Sequence, residues 1–292
     1  MRFALYGNTY NTKLKPFVQA LVNKLQASKS TLVIHHTYYD LLQHDIDFAT
    51  PPQLFSSANT LNTMADVLIS VGGDGTMLST IKYVQNTAMP VIGLNAGRLG
   101  FLANIAKDEI DVAIDALINN EYTIETRSLL RLNTTLNLFD GFTYALNECT
   151  IHKRDSAAMI TIHAYLNDEF LNSYWADGLI IATPTGSTAY SLSCGGPIVT
   201  PDCANFIITP IAPHNLNVRP LIIPDNKTLK LKVEGRQNNF LVTLDSRSQT
   251  ITSDFEIILT KDHYSFKTIK LNNQTFFNTL RNKLLWGIDK RN

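Results

Sequence analysis

Val67-Leu68-Ile69-Ser70-Val71-Gly72-Gly73-Asp74-Gly75-Thr76 is the stretch on which the reading of this chain turns. Five mostly apolar residues give way to three glycines around one aspartate, and a helical pattern follows from Met77 to Gln85. An apolar run of that length, bounded by glycine, reads as a strand buried on both faces. A buried strand that enters a helix through a glycine turn is a building unit of a parallel α/β layer. Ligands of such sheets gather beyond the carboxyl ends of the strands. Glycines at 72, 73 and 75 let the backbone take positive φ and come close to a ligand. Their N–H groups, at the start of a helix, form a place for an anion. Asp74 amid those donors can receive a proton or help place a metal. The plainer alternative is a tight turn in which Asp74 caps a backbone N–H.

The pattern continues on both sides of this segment. Arg2 to Tyr6, Thr31 to His35 and Pro90 to Leu94 read as strands, and Leu14 to Gln26 reads as a helix with Phe17, Leu21 and Leu25 on one face. A second glycine turn, Gly93 to Phe101, follows the Pro90–Leu94 run. Phe101 there either stacks on a ligand ring or joins the core. Residues 1–125 thus form an α/β domain with a parallel sheet. From 126 the texture changes to mainly antiparallel β. Leu130 to Phe139 and Phe142 to Ile151 are expected to pair through a two-residue turn at Asp140-Gly141, and Met159 to Leu166 with Phe170 to Trp175 around Asn167-Asp168. Leu179 to Ala182, Phe206 to Thr209, Thr228 to Glu234, Phe240 to Leu244 and Phe255 to Leu259 continue the strands. The second domain is expected to span 126–275. Asn278 to Trp286 reads as a helix, and 276–292 as a tail packing back on the first domain.

Composition narrows the classes of function. The chain has 292 residues, 45% of them hydrophobic, and 25 basic side chains balance 25 acidic ones. A protein that grips nucleic acid by its backbone carries a basic excess, so no nucleic-acid partner is expected. No apolar run approaches the length of a membrane span, and the short apolar N-terminus is no signal peptide. A soluble, cytoplasmic protein without a membrane partner is expected. Cys149, Cys194 and Cys203 are odd in number and distant in sequence, so they read as free thiols rather than a metal set.

The β-rich half holds three further candidates. Asn147-Glu148 interrupts an apolar strand, and such neighbours reach one ligand only at a strand end or bulge; solvated edge residues are the plain alternative. Asp177-Gly178 precedes a strand and then Pro184-Thr185-Gly186-Ser187-Thr188-Ala189-Tyr190-Ser191, whose hydroxyls form either a helix cap or a polar pocket rim. The chain contains no Gly-Lys dipeptide, hence no P-loop, and no GxGxxG, GxSxG or HExxH motif. Phosphate charge must then be met by backbone amides, a divalent metal and loose basic residues such as Arg98.

With these motifs assembled, the chain resembles the NAD kinase family within the wider GGDGT kinase superfamily. GGDGT at 72–76, GLNAGRLGFL at 93–102, Asn147-Glu148, ADGLIIATPTGSTAYS at 176–191 and PIAPHNLNVRPL at 210–221 carry the resemblance across most of the chain. GGDGT alone indicates the superfamily, and the GSTAYS segment with the Pro-His run indicates NAD kinase. The resemblance implies ATP-dependent phosphorylation of the adenosine ribose 2′-hydroxyl of NAD to NADP, with a divalent metal, Mg²⁺; no metal-ligating residue is assigned. It implies Asp74 as general base in a phosphate loop of Gly72, Gly73, Gly75 and Thr76. Asn147 and Glu148 would hold adenine and ribose, and Thr185, Thr188, Ala189, Tyr190, Ser191, Leu192 and Ser193 would wall the dinucleotide. Phe101 would line the same pocket, Ala212 would touch the substrate, and Asp177 would reach the nicotinamide side from a neighbouring subunit. A homodimer or homotetramer is implied with it. Trp175 and Ala158 stand where relatives often carry basic residues, and Asp245-Ser246-Arg247 where they often carry Asp-x-Gln. The guanidinium of Arg247 is expected to add charge at the adenosine or phosphate end, or else to be a surface arginine in a hairpin. The competing classes are a lipid or sugar kinase of the same superfamily and a non-catalytic dinucleotide sensor.

Overall fold

In the computed structural model, which describes every residue except 85–86, 96, 98, 135, 155–157, 273 and 288–292, the apolar runs of the first third become parallel strands. In chain order these are β1 (Arg2–Tyr6), α1 (Lys15–Ala27), β2 (Thr31–His35), α2 (His36–Leu42), β3 (Gln53–Phe55), α3 (Ala58–Met64), β4 (Val67–Val71), α4 (Asp74–Ser79), α5 (Ile81–Val84), β5 (Val91–Leu94) and α6 (Ile110–Ile118). The strands lie in the order β3-β2-β1-β4-β5, all parallel. Sequence order reverses between β1 and β4, which makes the carboxyl end of β4 the topological switch point. Helix α1 begins with Pro16 in its first turn, where the missing N–H costs nothing. It buries Phe17, Val18, Leu21, Val22 and Leu25 at helical spacing against Leu5, Ile34 and Ile69 of the sheet. Each such side chain contributes about 1.5–3 kcal/mol by leaving water. The helix expected from Met77 to Gln85 instead starts at Asp74 and divides at Thr80. The fully buried Thr80 hydroxyl donates to the carbonyl of Met77 at 2.6 Å, a local bond that competes with helix continuation. Gln85 lies outside the described residues.

The β-rich part contains β6 (Tyr122–Asn133), β7 (Tyr144–Ala145), β8 (Glu148–Lys153), β9 (Ile160–Leu166), β10 (Glu169–Ala176), β11 (Gly178–Ala182), α7 (Tyr190–Ser193), β12 (Asn205–Ile211), β13 (Leu221–Pro224), β14 (Leu229–Glu234), β15 (Asn239–Leu244), β16 (Arg247–Thr252) and β17 (Ile257–Leu271). One antiparallel sheet runs β13-β12-β11-β8-β15-β16. A second antiparallel set runs β10-β9-β14-β17. Ile151, Leu179, Ile181, Phe206 and Val242 of the first set share a core with Leu130, Ile162, Leu231 and Leu259. The hairpin at Asn167-Asp168 forms as expected, with φ of 50° and 68° at the two turn residues.

The expected turn at Asp140-Gly141 does not join two long strands. Strand β6 stops at Asn133; besides β17 it pairs with the two-residue β7, at Leu130 with Ala145 and Arg131 with Tyr144. Phe139, Asp140 and Gly141 form a turn at φ of 54°, 52° and 82°, and Phe139 enters the core. Its apolar character came from a buried turn, so the strand pattern overran. Phe142 to Ile151 likewise divides, because β8 belongs to the other sheet.

Two compact units result, Met1–Thr126 with Phe266–Asn292, and Arg127–Ser265. The sequence reading placed the return to the first unit at 276. The return at Phe266 follows from β17, whose Thr268 pairs in parallel with Val91 of β5. The last helix, α8 (Phe276–Leu284), is capped by Thr275, which accepts from the N–H of Asn278. It buries Leu280 and brings Phe276 within 6.4 Å of the Phe101 ring, centroid to centroid.

Candidate active site

Gly73 occupies the cap position of α4 with φ of −93°, which any residue can adopt, and Gly75 lies inside the helix. Positive φ therefore does not explain these two glycines. A Cβ at either would meet nothing within 4 Å, so both leave open backbone surface at the switch point. Gly72 differs, since its added Cβ would collide with Thr76.

Asp74 does not cap its own helix. Its carboxylate accepts three consecutive backbone N–H groups from the loop after β5: Phe101 at 2.9 Å on Oδ2, Leu102 at 3.0 Å and Ala103 at 2.9 Å on Oδ1. This fixes the carboxylate and gives the second glycine loop its shape. Asn95 holds the same loop from within, donating to the carbonyl of Ala103 and accepting from the N–H of Gly97. Gly100 is required where it stands, because a Cβ there would fall inside the Asp74 carboxylate. With two amides on Oδ1 and one on Oδ2, Oδ2 keeps the greater remaining acceptor capacity. Lys283 of α8 approaches that oxygen to 3.8 Å and lies 4.7 Å from the centre of the Phe101 ring. Arg98 lies outside the described residues.

In the second unit, the starts of β8 and the ends of β11 and β15 meet at one end of the six-stranded sheet, with Glu148 opposite Ala182 and Cys149 opposite Leu244. Asp245, at φ of 52°, repeats the device seen at Asp74. Its carboxylate accepts the N–H groups of Leu146, Asn147 and Glu148 at 2.8–3.2 Å. Those three amides are thereby withdrawn from a strand ladder, which is why β7 and β8 separate. Asn147 and Glu148 thus sit at a strand end, the geometry that lets neighbouring residues serve one ligand. Glu148 is 7% exposed, and its Oε2 has no hydrogen-bond partner among the described residues. Burial, reinforced by the charge of Asp245, pushes its pKa up to about 8, against a smaller opposing effect of the Tyr190 N–H. Burial raises Asp245 as well, opposed by its three amide donors and by Arg247.

The hydroxyl-rich turn after β11 packs against this end. Thr183 donates to the carbonyl of Leu146, and a Cβ on Gly186 would collide with the backbone of Asn147. Ser187 both donates to and accepts from the backbone of Val199, and Ser191 bonds the buried Thr209 hydroxyl at 2.8 Å. Part of the hydroxyl density is therefore internal stapling, and Ser191 is fully buried. Thr188 and Ala189 are half-buried and Tyr190 is exposed, while Thr185 is buried. Leu192 is half-buried and Ser193 exposed on α7. Asp177 pairs with Lys153 at 2.6 Å. Ala212 is exposed at φ of 44°, a strained position for a residue with a Cβ. Trp175 packs against His214 at 4.4 Å between centroids, with the rings tilted by 50°.

Arg247 is held by the protein's own backbone. Its two terminal nitrogens donate to the carbonyls of Phe142 and Tyr144, and its guanidinium lies 5.7 Å from the Phe139 ring. Burial lowers its pKa and the charge of Asp245 offsets this. The fork clamps the turn of 139–144. Sequence reasoning missed Asp245, Thr183, Gly100, Asn95 and Lys283 as site-building residues. Gly100 and Asn95 carried a local signal, as parts of the second glycine turn; Asp245, Thr183 and Lys283 act across long sequence separations.

A parallel sheet with an acidic glycine turn at its switch point, and a β unit with a buried acid next to an amide at a strand end, fit a small-molecule kinase without a P-loop. Comparison with known proteins makes the assignment specific. The family described as ATP-NAD kinase N-terminal domain matches residues 7–122, and ATP-NAD kinase C-terminal domain matches residues 146–271. The NAD kinases of Flavobacterium johnsoniae and Flavobacterium psychrophilum are 44% and 46% identical over 294 aligned positions, covering 100% of both chains in each case. The crystal structure of an NAD kinase from Archaeoglobus fulgidus in complex with ATP superposes with a TM-score of 0.76 at 25% identity, covering 98% of this chain and 99% of that one. Yeast NADH kinase complexed with NADH shares the fold, with a TM-score of 0.85 at 24% identity over 99% of this chain and 89% of that one. The chain belongs to the NAD kinase family, whose activity is the ATP-dependent phosphorylation of NAD to NADP.

Proposed function

We propose that this enzyme transfers the γ-phosphoryl group of ATP to the adenosine ribose 2′-hydroxyl of NAD, with Asp74 taking the hydroxyl proton. The bond between the 2′-oxygen and the γ-phosphorus forms as the bond to the β,γ-bridging oxygen breaks, and ADP leaves. Such transfer depends on positioning and on electrostatic stabilisation rather than on covalent work by the protein. The observation that carries the reading is Asp74 itself. It is fixed by three amides at the switch point with a lone pair remaining on Oδ2.

The phosphate loop of Gly72, Gly73, Gly75 and Thr76 receives phosphate oxygens, with the open backbone of Gly73 and Gly75 turned to them. Asn147 and Glu148, held by Asp245, bind adenine and ribose, and a protonated Glu148 can donate as well as accept a hydrogen bond. Thr185, Thr188, Ala189, Tyr190, Leu192 and Ser193 wall the dinucleotide, with Phe101 and Ala212 also in contact. Asp177 serves a neighbouring subunit in a homodimer or homotetramer. No group of three His, Cys, Asp or Glu side chains among the described residues forms a metal cage. Mg²⁺ usually binds through one or two carboxylates together with substrate phosphates, and the free side of Asp74 fits that mode. When bound with ATP it neutralises phosphate charge. No helix among the described residues is long and apolar enough to cross a membrane, and we place the enzyme in the cytoplasm.

The test is turnover of purified protein with NAD, ATP and Mg²⁺, with the position of the new phosphate read by ³¹P NMR. NADP phosphorylated at the 2′ position supports the proposal. No NADP under metal-replete conditions, with a lipid or sugar phosphorylated instead, overturns it.

A further inference from the structure

The missing P-loop lysine leaves a chemical gap beside Asp74, and α8 places a cation there. Leu280 anchors the helix in the first unit, and Lys283 lies three residues on, on a neighbouring part of the same face. Its ammonium stands 3.8 Å from Asp74 Oδ2, the oxygen that carries only one amide. That separation is an ion contact but is longer than an N–H···O hydrogen bond. Among the described residues the ammonium donates no hydrogen bond, and the side chain is about one-third exposed. Phe101 holds it in place through its ring face at 4.7 Å. An exposed pair of this kind is worth about 0–1 kcal/mol to folding, so stability alone gives little reason for a lysine at this spot.

We infer that Lys283 is the cation that meets the transferring phosphoryl group beside Asp74. This rests on the proposed reaction. A general base lies within about 2.6–3.2 Å of the oxygen whose proton it takes. The acceptor oxygen then lies no more than about 7 Å from the Lys283 ammonium, a gap closed by the phosphoryl group and the flexible lysine stem. Negative charge on the equatorial oxygens of that group is what a fixed cation stabilises in the transition state. Lys283 takes no part in the proton transfer: the hydroxyl proton goes to Asp74 and the bridging electron pair leaves with ADP. Holding the ammonium next to Asp74 also keeps that carboxylate from repelling the incoming phosphates.

Lys283→Met and Lys283→Arg in the full chain test this. In Lys283→Met, kcat falls about 10²-fold, the loss usual for one oxyanion-stabilising donor, while KM for NAD stays within about twofold. Lys283→Arg restores at least a tenfold part of the loss, because the charge is retained. Inorganic tripolyphosphate, used as a probe competing with ATP, binds the Met variant at least about tenfold more weakly at an unchanged unfolding midpoint; a merely structural lysine would not move this readout. The inference is overturned if kcat and tripolyphosphate affinity of Lys283→Met both stay within twofold of wild type, or if they fall only in step with stability. Tripolyphosphate binding reads Lys283 even in a protein that made no NADP, so the proposed reaction and this inference fail separately.

Discussion

Replacing Asp74 by Asn separates its two duties, proton acceptor and anchor of the second glycine loop. An amide keeps one oxygen, which can still accept from Leu102 and Ala103, but turns its NH₂ toward the N–H of Phe101. One donor is left unpaired against another, at a cost of about 1–3 kcal/mol. Asp74→Ala removes both acceptor oxygens, leaves three N–H groups unpaired and should cost more, up to about three times as much if the losses add. Turnover should respond differently. Loss of the proton acceptor removes about 10²–10⁴-fold from the rate in either variant, so both should be nearly equally inactive while differing clearly in stability. The assay pairs initial rates of NADP formation with urea unfolding and with dinucleotide titration. Dinucleotide affinity of Asp74→Asn is expected to stay within about tenfold, or about 1.4 kcal/mol. A variant with more than a tenth of wild-type turnover would refute the general-base role. Unfolding free energies equal to wild type in both variants would refute the anchoring role.

Gly100→Ala should lower kcat about 10²-fold with little change in KM for ATP, because the new methyl group displaces the Asp74 carboxylate and misplacement by about 1 Å costs that much; wild-type kcat would show that the loop yields freely. Burial keeps Glu148 protonated in the folded protein up to about pH 8, whereas the unfolded chain ionises near pH 4.5. Folding therefore takes up a proton in that window, and stability falls as pH rises from about 4.5 towards about 8, by at most about 1.4 kcal/mol per pH unit. Glu148→Gln should flatten that slope, and parallel stability–pH curves for the two proteins would count against it. Arg247→Gln should destabilise the protein by about 1–3 kcal/mol through loss of its bonds to the carbonyls of Phe142 and Tyr144, with KM for NAD unaffected by the substitution at any moderate salt; a raised, salt-sensitive KM at unchanged stability would return Arg247 to the binding site.

Local order determined what the sequence alone could tell. The apolar run 67–71 followed by three glycines specified a buried strand and an open turn, because both depend on neighbouring residues and on backbone sterics. The Asn167-Asp168 hairpin was legible for the same reason, since the turn type is set by two residues that tolerate positive φ. Motif order marked Asp74, the Asn147-Glu148 pair and the turn at 184–191 as site elements. Tertiary structure alone decided how those elements are held. Asp74 and Asp245 each gather three consecutive amides from segments distant in sequence, and no periodicity announces a carboxylate's backbone partners. Phe139 read as strand because burial in a turn and burial in a sheet select the same apolar residue. The internal partners of Ser191 and Arg247 were not legible, because the donors that recognise a substrate are chemically the same as those that bind the protein's own backbone and side chains. Which partner a donor meets is fixed by three-dimensional proximity, and for Lys283 that proximity arises only when α8 packs beside the loop that carries Phe101.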